Sequence, residues 1–226
     1  MPMTDETSPR PSEDPRRGPR RGLILGAGAL VVGAVVAFAL VSRNSEAVAE
    51  ACIPAQETLT RLAPTATGEV AAVSVHATPR LAPEIAFTGP EGEPLTLADF
   101  EGRTLLLNLW ATWCAPCREE MPALDALQAE YGGEEFEVVA VNVDTRNLDR
   151  PRAWLEEHGI DDLAYYAENE GTLMQTLQRS GHVVGLPTTI LVDGAGCELA
   201  VLKGPAEWAS ADAFALIRAA LGREGG

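Results

Sequence analysis

The chain has 226 residues, 33 acidic against 17 basic, for a formal net charge of −16. That length fits one domain plus an additional segment, and 46% apolar residues are enough for a buried core, which excludes a chain disordered throughout. The acidity excludes a nucleic-acid-binding face, which needs clustered bases, and four cysteines are too few for a small disulfide scaffold.

Charge is unevenly placed along the chain. Residues 1–22 carry five arginines (Arg10, Arg16, Arg17, Arg20 and Arg21) and four acids, and the segment is rich in proline, the composition of a disordered tail. Leu23 to Val41 is a run of 19 uncharged residues, mostly Leu, Ile, Val, Ala and Gly. At about 1.5 Å per helical residue it reaches about 28 Å, close to the hydrocarbon thickness of a bilayer. The arginines before it outnumber those that follow closely, Arg43 and Arg61, so the positive-inside rule predicts a transmembrane anchor over 23–42 with a cytoplasmic N-terminus. A cleaved signal peptide is the competing reading, since Ala47-Val48-Ala49 is a passable small-x-small site. The apolar run is longer than a signal h-region of roughly 7–15 residues, which favours the retained anchor. A lipoprotein reading of Cys52 is weaker, because Glu50 and Ala51 precede it.

Residues 43–80 read as part tether and part packed extension. Ala55, Leu59 and Leu62 share a helical face that Pro64 would end, and Val70–Val75 has the composition of a short strand. From residue 81 strands and helices alternate. Thr104–Leu109 and Phe136–Val143 are near-continuous apolar runs, as in strands buried on both faces. Helices are expected over Cys117–Tyr131, Pro151–His158, Thr172–Gln178 and Ala209–Leu221. Thr188–Val192 and Glu198–Leu202 are expected strands joined by the turn Asp193-Gly194-Ala195-Gly196. This order predicts an α/β domain over 81–226 with a central mixed sheet flanked by helices.

At the join of the first long strand and helix stands Trp110-Ala-Thr-Trp113-Cys114-Ala115-Pro116-Cys117. Two intervening residues bring both sulfurs within reach of one disulfide at a helix start. There the macrodipole and free N–H groups favour a thiolate on the first cysteine, the species that attacks disulfides. Pro116 lacks an N–H and is tolerated in the first helical turn. A zinc half-site is the bland alternative, but the other cysteines are distant and His76, His158 and His182 show no ligand spacing, so no metal is expected. Farther on, Pro187 precedes a buried strand in Val184-Gly185-Leu186-Pro187-Thr188, a position suited to a special turn with a cis bond.

Taken together, WATWCAPC, Glu120-Met121-Pro122, the VNVD strand end and GLPTTILVD resemble the thioredoxin fold. Within it they are most similar to the TlpA-like, membrane-anchored protein disulfide reductases. The anchor, the cysteine soon after it, Gly196-Cys197-Glu198 and Gly204-Pro205-Ala206-Glu207-Trp208 belong to the same pattern. The resemblance implies that Cys114 attacks and Cys117 resolves, with Pro187 as a cis-proline opposite them. Leu186 would pair with an extended substrate segment, and Trp113 would flank the dithiol. It also implies a structural disulfide between Cys52 and Cys197, the alternative being two separate thiols. Asn108 stands where thioredoxin has a buried aspartate, which leaves the proton acceptor for Cys117 open; Asp144 is a candidate, with a turn cap as its other reading.

The function so implied is reduction of cysteine pairs in envelope proteins by a monomer held at a bacterial inner membrane, with its thioredoxin-like domain in the periplasm. Copper-delivery proteins, the copper subunit of cytochrome oxidase and apocytochrome c are the implied partners, with a membrane electron donor of the cytochrome-biogenesis type. The redox-active disulfide itself serves in place of any cofactor. Two alternatives stand beside this. One is a Cu(I)-binding metallochaperone using the CxxC and His182; the other is a peroxiredoxin-type peroxidase, whose Pro-x-x-x-Thr-x-x-Cys motif is missing.

Overall fold

A central strand is only stable where both of its faces find apolar partners, and Thr104–Trp110 meets that demand with every residue buried. In the computed structural model, which describes residues 52–223, this strand is β4 of an eight-stranded sheet. The described elements, in chain order, are α1 (Ala55–Leu62), β1 (Ser74–Leu81), β2 (Ala86–Thr88), β3 (Pro94–Thr96), β4 (Thr104–Trp110) and α2 (Ala115–Tyr131). There follow β5 (Phe136–Asn142), α3 (Arg150–Glu157), β6 (Tyr166–Ala167), α4 (Thr172–Arg179), β7 (Thr188–Val192), β8 (Cys197–Lys203) and α5 (Ala211–Ala220). The strand order is β1-β8-β7-β4-β5-β6-β2-β3. Pairing is parallel between β4, β5 and β6 and antiparallel elsewhere, so the sheet is mixed. The expected tail and transmembrane anchor lie outside the described residues, among which no helix is long and apolar enough to cross a membrane.

The extension before residue 81 packs onto the sheet. Buried Ala55, Leu59 and Leu62 turn α1 toward β1 and α5. A strand expected at 70–75 instead begins at Ser74. Residues 68–73 satisfy their backbone locally, with Val70 N–H donating to Thr67 O (3.0 Å) and Val73 N–H to Val70 O (2.9 Å). Val70 is a buried plug beneath this 3₁₀ turn rather than a ladder residue. Ladder pairing then runs from Ser74 opposite Val201 to Leu81 opposite Cys197.

The turn between β7 and β8 rests on a close backbone approach. A Cβ on Gly194 would lie 2.7 Å from the carbonyl carbon of Gly102, so any side chain there would push apart two segments joined by the Gly102 N–H···O Gly194 hydrogen bond (2.8 Å). That contact ties the hairpin to the start of β4.

Candidate active site

β4 delivers the chain to the dithiol. After Trp110 a three-residue turn leads to Cys114, which caps α2 in an extended conformation; its Sγ accepts from the N–H of Cys117 at 3.3 Å. Cys114 and Cys117 are joined as a disulfide with Cα atoms 5.3 Å apart. Cys114 keeps 6% of its surface exposed and Cys117 none. When the bond is reduced, the helix N-terminus and the Cys117 N–H favour a thiolate on Cys114, the sulfur with access to water.

The turn before Cys114 is fixed by Asp144. One carboxylate oxygen accepts from Thr112 N–H (2.8 Å) and Asn142 Nδ2 (2.8 Å), and the other from Thr112 Oγ1 (3.1 Å). Arg118 Nη1 completes the clamp by donating to Thr112 O (3.1 Å). Of the two sequence readings of Asp144, its contacts match the turn cap.

The second marker comes to the same end of the sheet. Thr188 pairs with Leu109 on β4, so Pro187, one residue earlier on an antiparallel strand, lies level with Trp110 at the strand end that leads to Cys114. The Leu186–Pro187 bond is cis. Pro187 O accepts from Gly204 N–H (3.0 Å), and Thr188 Oγ1 donates to Gly185 O (2.7 Å), so both flanks of the bend are tied. Trp113 is 69% and Val184 76% exposed, leaving large apolar surface on the dithiol turn and on the cis-proline loop.

The structure adds Glu120, a residue with no role in the sequence reading beyond its motif. It sits one turn past Cys117 on α2 and is buried. Its Oε1 accepts from Asn108 Nδ2 (2.8 Å), and its Oε2 from Ala206 N–H (3.2 Å) and Trp208 Nε1 (3.3 Å). Burial outweighs these donors and pushes the carboxyl up to about 7, where it can both take and return a proton near neutral pH. Asn108 joins Glu120 to Thr189 Oγ1 (3.0 Å), while its own Oδ1 has no hydrogen-bond partner among the described residues. The signal for Glu120 was available: an acid falls within the buried stripe of Cys117, Met121 and Leu124, where apolar residues are the norm.

The remaining sequence candidates are placed elsewhere. Cys52 and Cys197 are bonded to each other, both fully buried, with Cα atoms 5.7 Å apart. His182 is engaged by Glu198 (Nε2 to Oε2, 2.9 Å) and by Ser180 Oγ (2.8 Å). Among the described residues no group of three or more His, Cys, Asp or Glu side chains is arranged to hold a metal ion.

A family model described as the AhpC/TSA family matches residues 79–197, more than half of the chain. The chain belongs to the AhpC/TSA family. It is similar to the thioredoxin-like protein YneN of Bacillus subtilis, 35% identical over 117 residues, a match that covers 51% of this chain and 65% of YneN, just under two thirds. It is also similar to the thiol-disulfide oxidoreductase ResA of Geobacillus thermodenitrificans, 33% identical over 136 residues, covering 60% of this chain and 73% of ResA. Among solved structures, a thiol:disulfide interchange protein of the thioredoxin family from Chlorobium tepidum superposes with a TM-score of 0.53 at 26% identity, over 65% of this chain and 99% of that one. This AhpC/TSA member is a thiol-disulfide oxidoreductase of thioredoxin-like α/β fold. Leu107 and Ala111 stand where a peroxiredoxin motif ending at Cys114 needs proline and threonine, so family membership does not carry the peroxidase alternative.

Proposed function

We propose that this chain is a membrane-anchored reductant of disulfides in other envelope proteins. The observation that carries this reading is the dithiol itself: Cys114 caps α2, Pro116 is in its first turn, and the cis Leu186–Pro187 bond lies at the same sheet end. Between the cysteines are only Ala115 and Pro116, so no side chain adds charge or a polar donor to the thiolate. The dipeptide thus adds nothing to the stabilisation by the helix terminus, which makes the reduced form moderately rather than extremely favoured and the disulfide correspondingly hard to reduce.

The reaction follows from these positions. An extended substrate segment pairs along Leu186 beside the cis bond, with Trp113 and Val184 covering its apolar side chains. The Cys114 thiolate attacks one substrate sulfur, giving a mixed disulfide and releasing the other sulfur as a thiolate that takes up a proton. Cys117 loses its proton to Glu120 and attacks Cys114, closing the internal disulfide and freeing the second substrate thiol. Two electrons pass to the substrate, and an electron donor must then reduce the protein again.

Within this reading the apolar run at 23–42 holds a monomer at a bacterial inner membrane, with the folded part in the periplasm beside a donor of the cytochrome-biogenesis type. The substrates are copper-delivery proteins, the copper subunit of cytochrome oxidase, or apocytochrome c. Equilibration of the protein with glutathione tests the direction. We expect a potential near about −270 mV and a disulfide that glutathione leaves largely intact; a value above about −180 mV would mean an oxidase or isomerase instead. Capture of partners as mixed disulfides on a Cys117→Ser variant then identifies the substrates.

A further inference from the structure

Glu198, the second residue of β8, has a fully buried side chain and three basic side chains around it, His76, Arg80 and His182. A carboxylate withdrawn from water is strongly destabilising unless cations and donors surround it. Here they come from two sides. From the stapled extension, His76 Nε2 lies 2.7 Å from Oε1, and Arg80, paired with Glu198 across the β1–β8 ladder, donates to the same oxygen. From the other side comes His182, whose Nε2 lies 2.9 Å from Oε2 but out of line for a hydrogen bond, so Oε2 has no aligned donor. These partners outweigh burial and hold the carboxyl below its usual range, so Glu198 is an anion at neutral pH.

His182 belongs to the segment that becomes the cis-proline loop. Between the end of α4 and β7 the chain runs Ser180-Gly-His-Val-Val-Gly-Leu-Pro187, with Gly181 at φ 76° and Gly185 giving it little stiffness of its own. Val184 projects into solvent, so packing restrains the loop on its inner side, through buried Val183. Backbone bonds hold its two ends, from His182 N–H (2.9 Å) and Val183 N–H (3.2 Å) to Leu177 O and from Gly204 N–H to Pro187 O (3.0 Å). Side-chain ties are Lys203 Nζ to Gly181 O (3.0 Å), Thr188 Oγ1 to Gly185 O (2.7 Å), Ser180 Oγ to His182 Nδ1 (2.8 Å), and His182 to Glu198. Of these, the His182–Glu198 contact alone connects the loop to groups donated by the N-terminal extension. We infer that Glu198 is a positioning residue for substrate, holding the cis-proline loop through His182, and that the stapled extension keeps it in that role by supplying His76 and Arg80. Glu198 directly follows Cys197, so the disulfide to Cys52 fixes the strand on which this junction is built.

This inference rests on the reductase reading for its substrate readout, and the test separates the two. Turnover on a peptide containing one disulfide, which needs the loop, is measured with dithiothreitol as regenerating reductant and the uncatalysed rate subtracted. Dithiobis(nitrobenzoate), which is too small to pair along the loop and is reduced directly by dithiothreitol, is instead mixed with pre-reduced protein freed of reductant, and the single-turnover rate is read. His182→Ala is expected to raise KM for the peptide about three- to tenfold, with kcat and the rate on the small disulfide within about twofold of wild type. His182→Gln, which retains a donor, should bring KM most of the way back. Glu198→Gln should raise KM similarly, and combining it with His182→Ala should add nothing further, because both remove one contact. Amide hydrogen exchange over residues 183–186 reads the loop directly and should be faster in each variant; should Glu198→Gln fail to fold, His182→Ala and His182→Gln decide alone. An unchanged peptide KM together with unchanged exchange, equal slowing on both substrates, or additive effects in the double variant would overturn the inference. Wild-type protein that reduces neither disulfide would sink the reductase reading, and the exchange measurement would still decide the role of Glu198.

Discussion

The two disulfides occupy opposite ends of one sheet and show how little of a cysteine's role lies in the cysteine. Cys114 and Cys117 are three residues apart at the end of β4, whereas Cys52 and Cys197 are separated by 145 residues. On β7, Thr188 lies beside the cis-proline, and Val192, about 13 Å along the strand, pairs with Glu198 next to the staple. At the first end a sulfur caps a helix and accepts a backbone N–H, on a residue that keeps 6% of its surface exposed. At the second, one sulfur is on a strand and the other precedes α1, both out of solvent. A thiolate is stabilised and accessible only at the first, so exchange chemistry belongs there and the other bond is structural.

The largest difference should come from the sulfur that caps α2. Cys114→Ser is expected to abolish disulfide reduction, measured as turnover on a peptide disulfide, while removal of Cys52 and Cys197 leaves the dithiol active. Brief alkylation of the reduced protein should label Cys114 before Cys117; equal labelling would break the division of roles drawn from their burial.

Next in size is the stability effect of the staple. The chain-entropy account of a loop closed over 145 residues gives about 5 kcal/mol, an upper figure, since native strain and residual structure commonly reduce it. Denaturant unfolding of a Cys52→Ala/Cys197→Ala variant should show a loss of about 3–5 kcal/mol with the Cys114–Cys117 potential unchanged. A loss below about 1 kcal/mol would mean that α1 and β1 hold the extension without the bond.

The smallest of the three effects sharpens the picture at the dithiol end. The Glu120 carboxyl is raised from 4.5 to about 7 by burial, so the folded protein holds its proton over a range where the unfolded chain has released it. Stability from this group is therefore full below about pH 4.5 and is lost as pH rises through about 7, by about 3 kcal/mol. Glu120→Gln should flatten that slope in unfolding measured from pH 5 to 8, and should slow the resolving step by removing the proton acceptor. An unaltered slope would place the titration on another group.

Much of this fold is legible in sequence because its central strands are long. β4, β5 and β7 are buried throughout, and continuous apolar runs announce that. β2 and β3 have three residues each and β6 two, too few for any period to show, so they exist only because the sheet edge accepts them. The displaced start of β1 has a similar cause. Val70 is as apolar as a strand residue, but whether it pairs or plugs is decided by the turn at 68–70 and the core beneath it.

At the site, residue identity and spacing determined the dithiol, the helix that starts at it and the proline before β7, because each depends on covalent geometry within a few residues. The tertiary structure decided what the polar groups do. It directed Asp144 to the turn at Thr112, raised the Glu120 carboxyl by enclosing it, and gathered His76, Arg80 and His182 around Glu198 from segments more than a hundred residues apart. The physical reason is that chain connectivity sets which groups are neighbours over a turn or two, whereas desolvation and charge pairing depend on neighbours that only the folded sheet assembles.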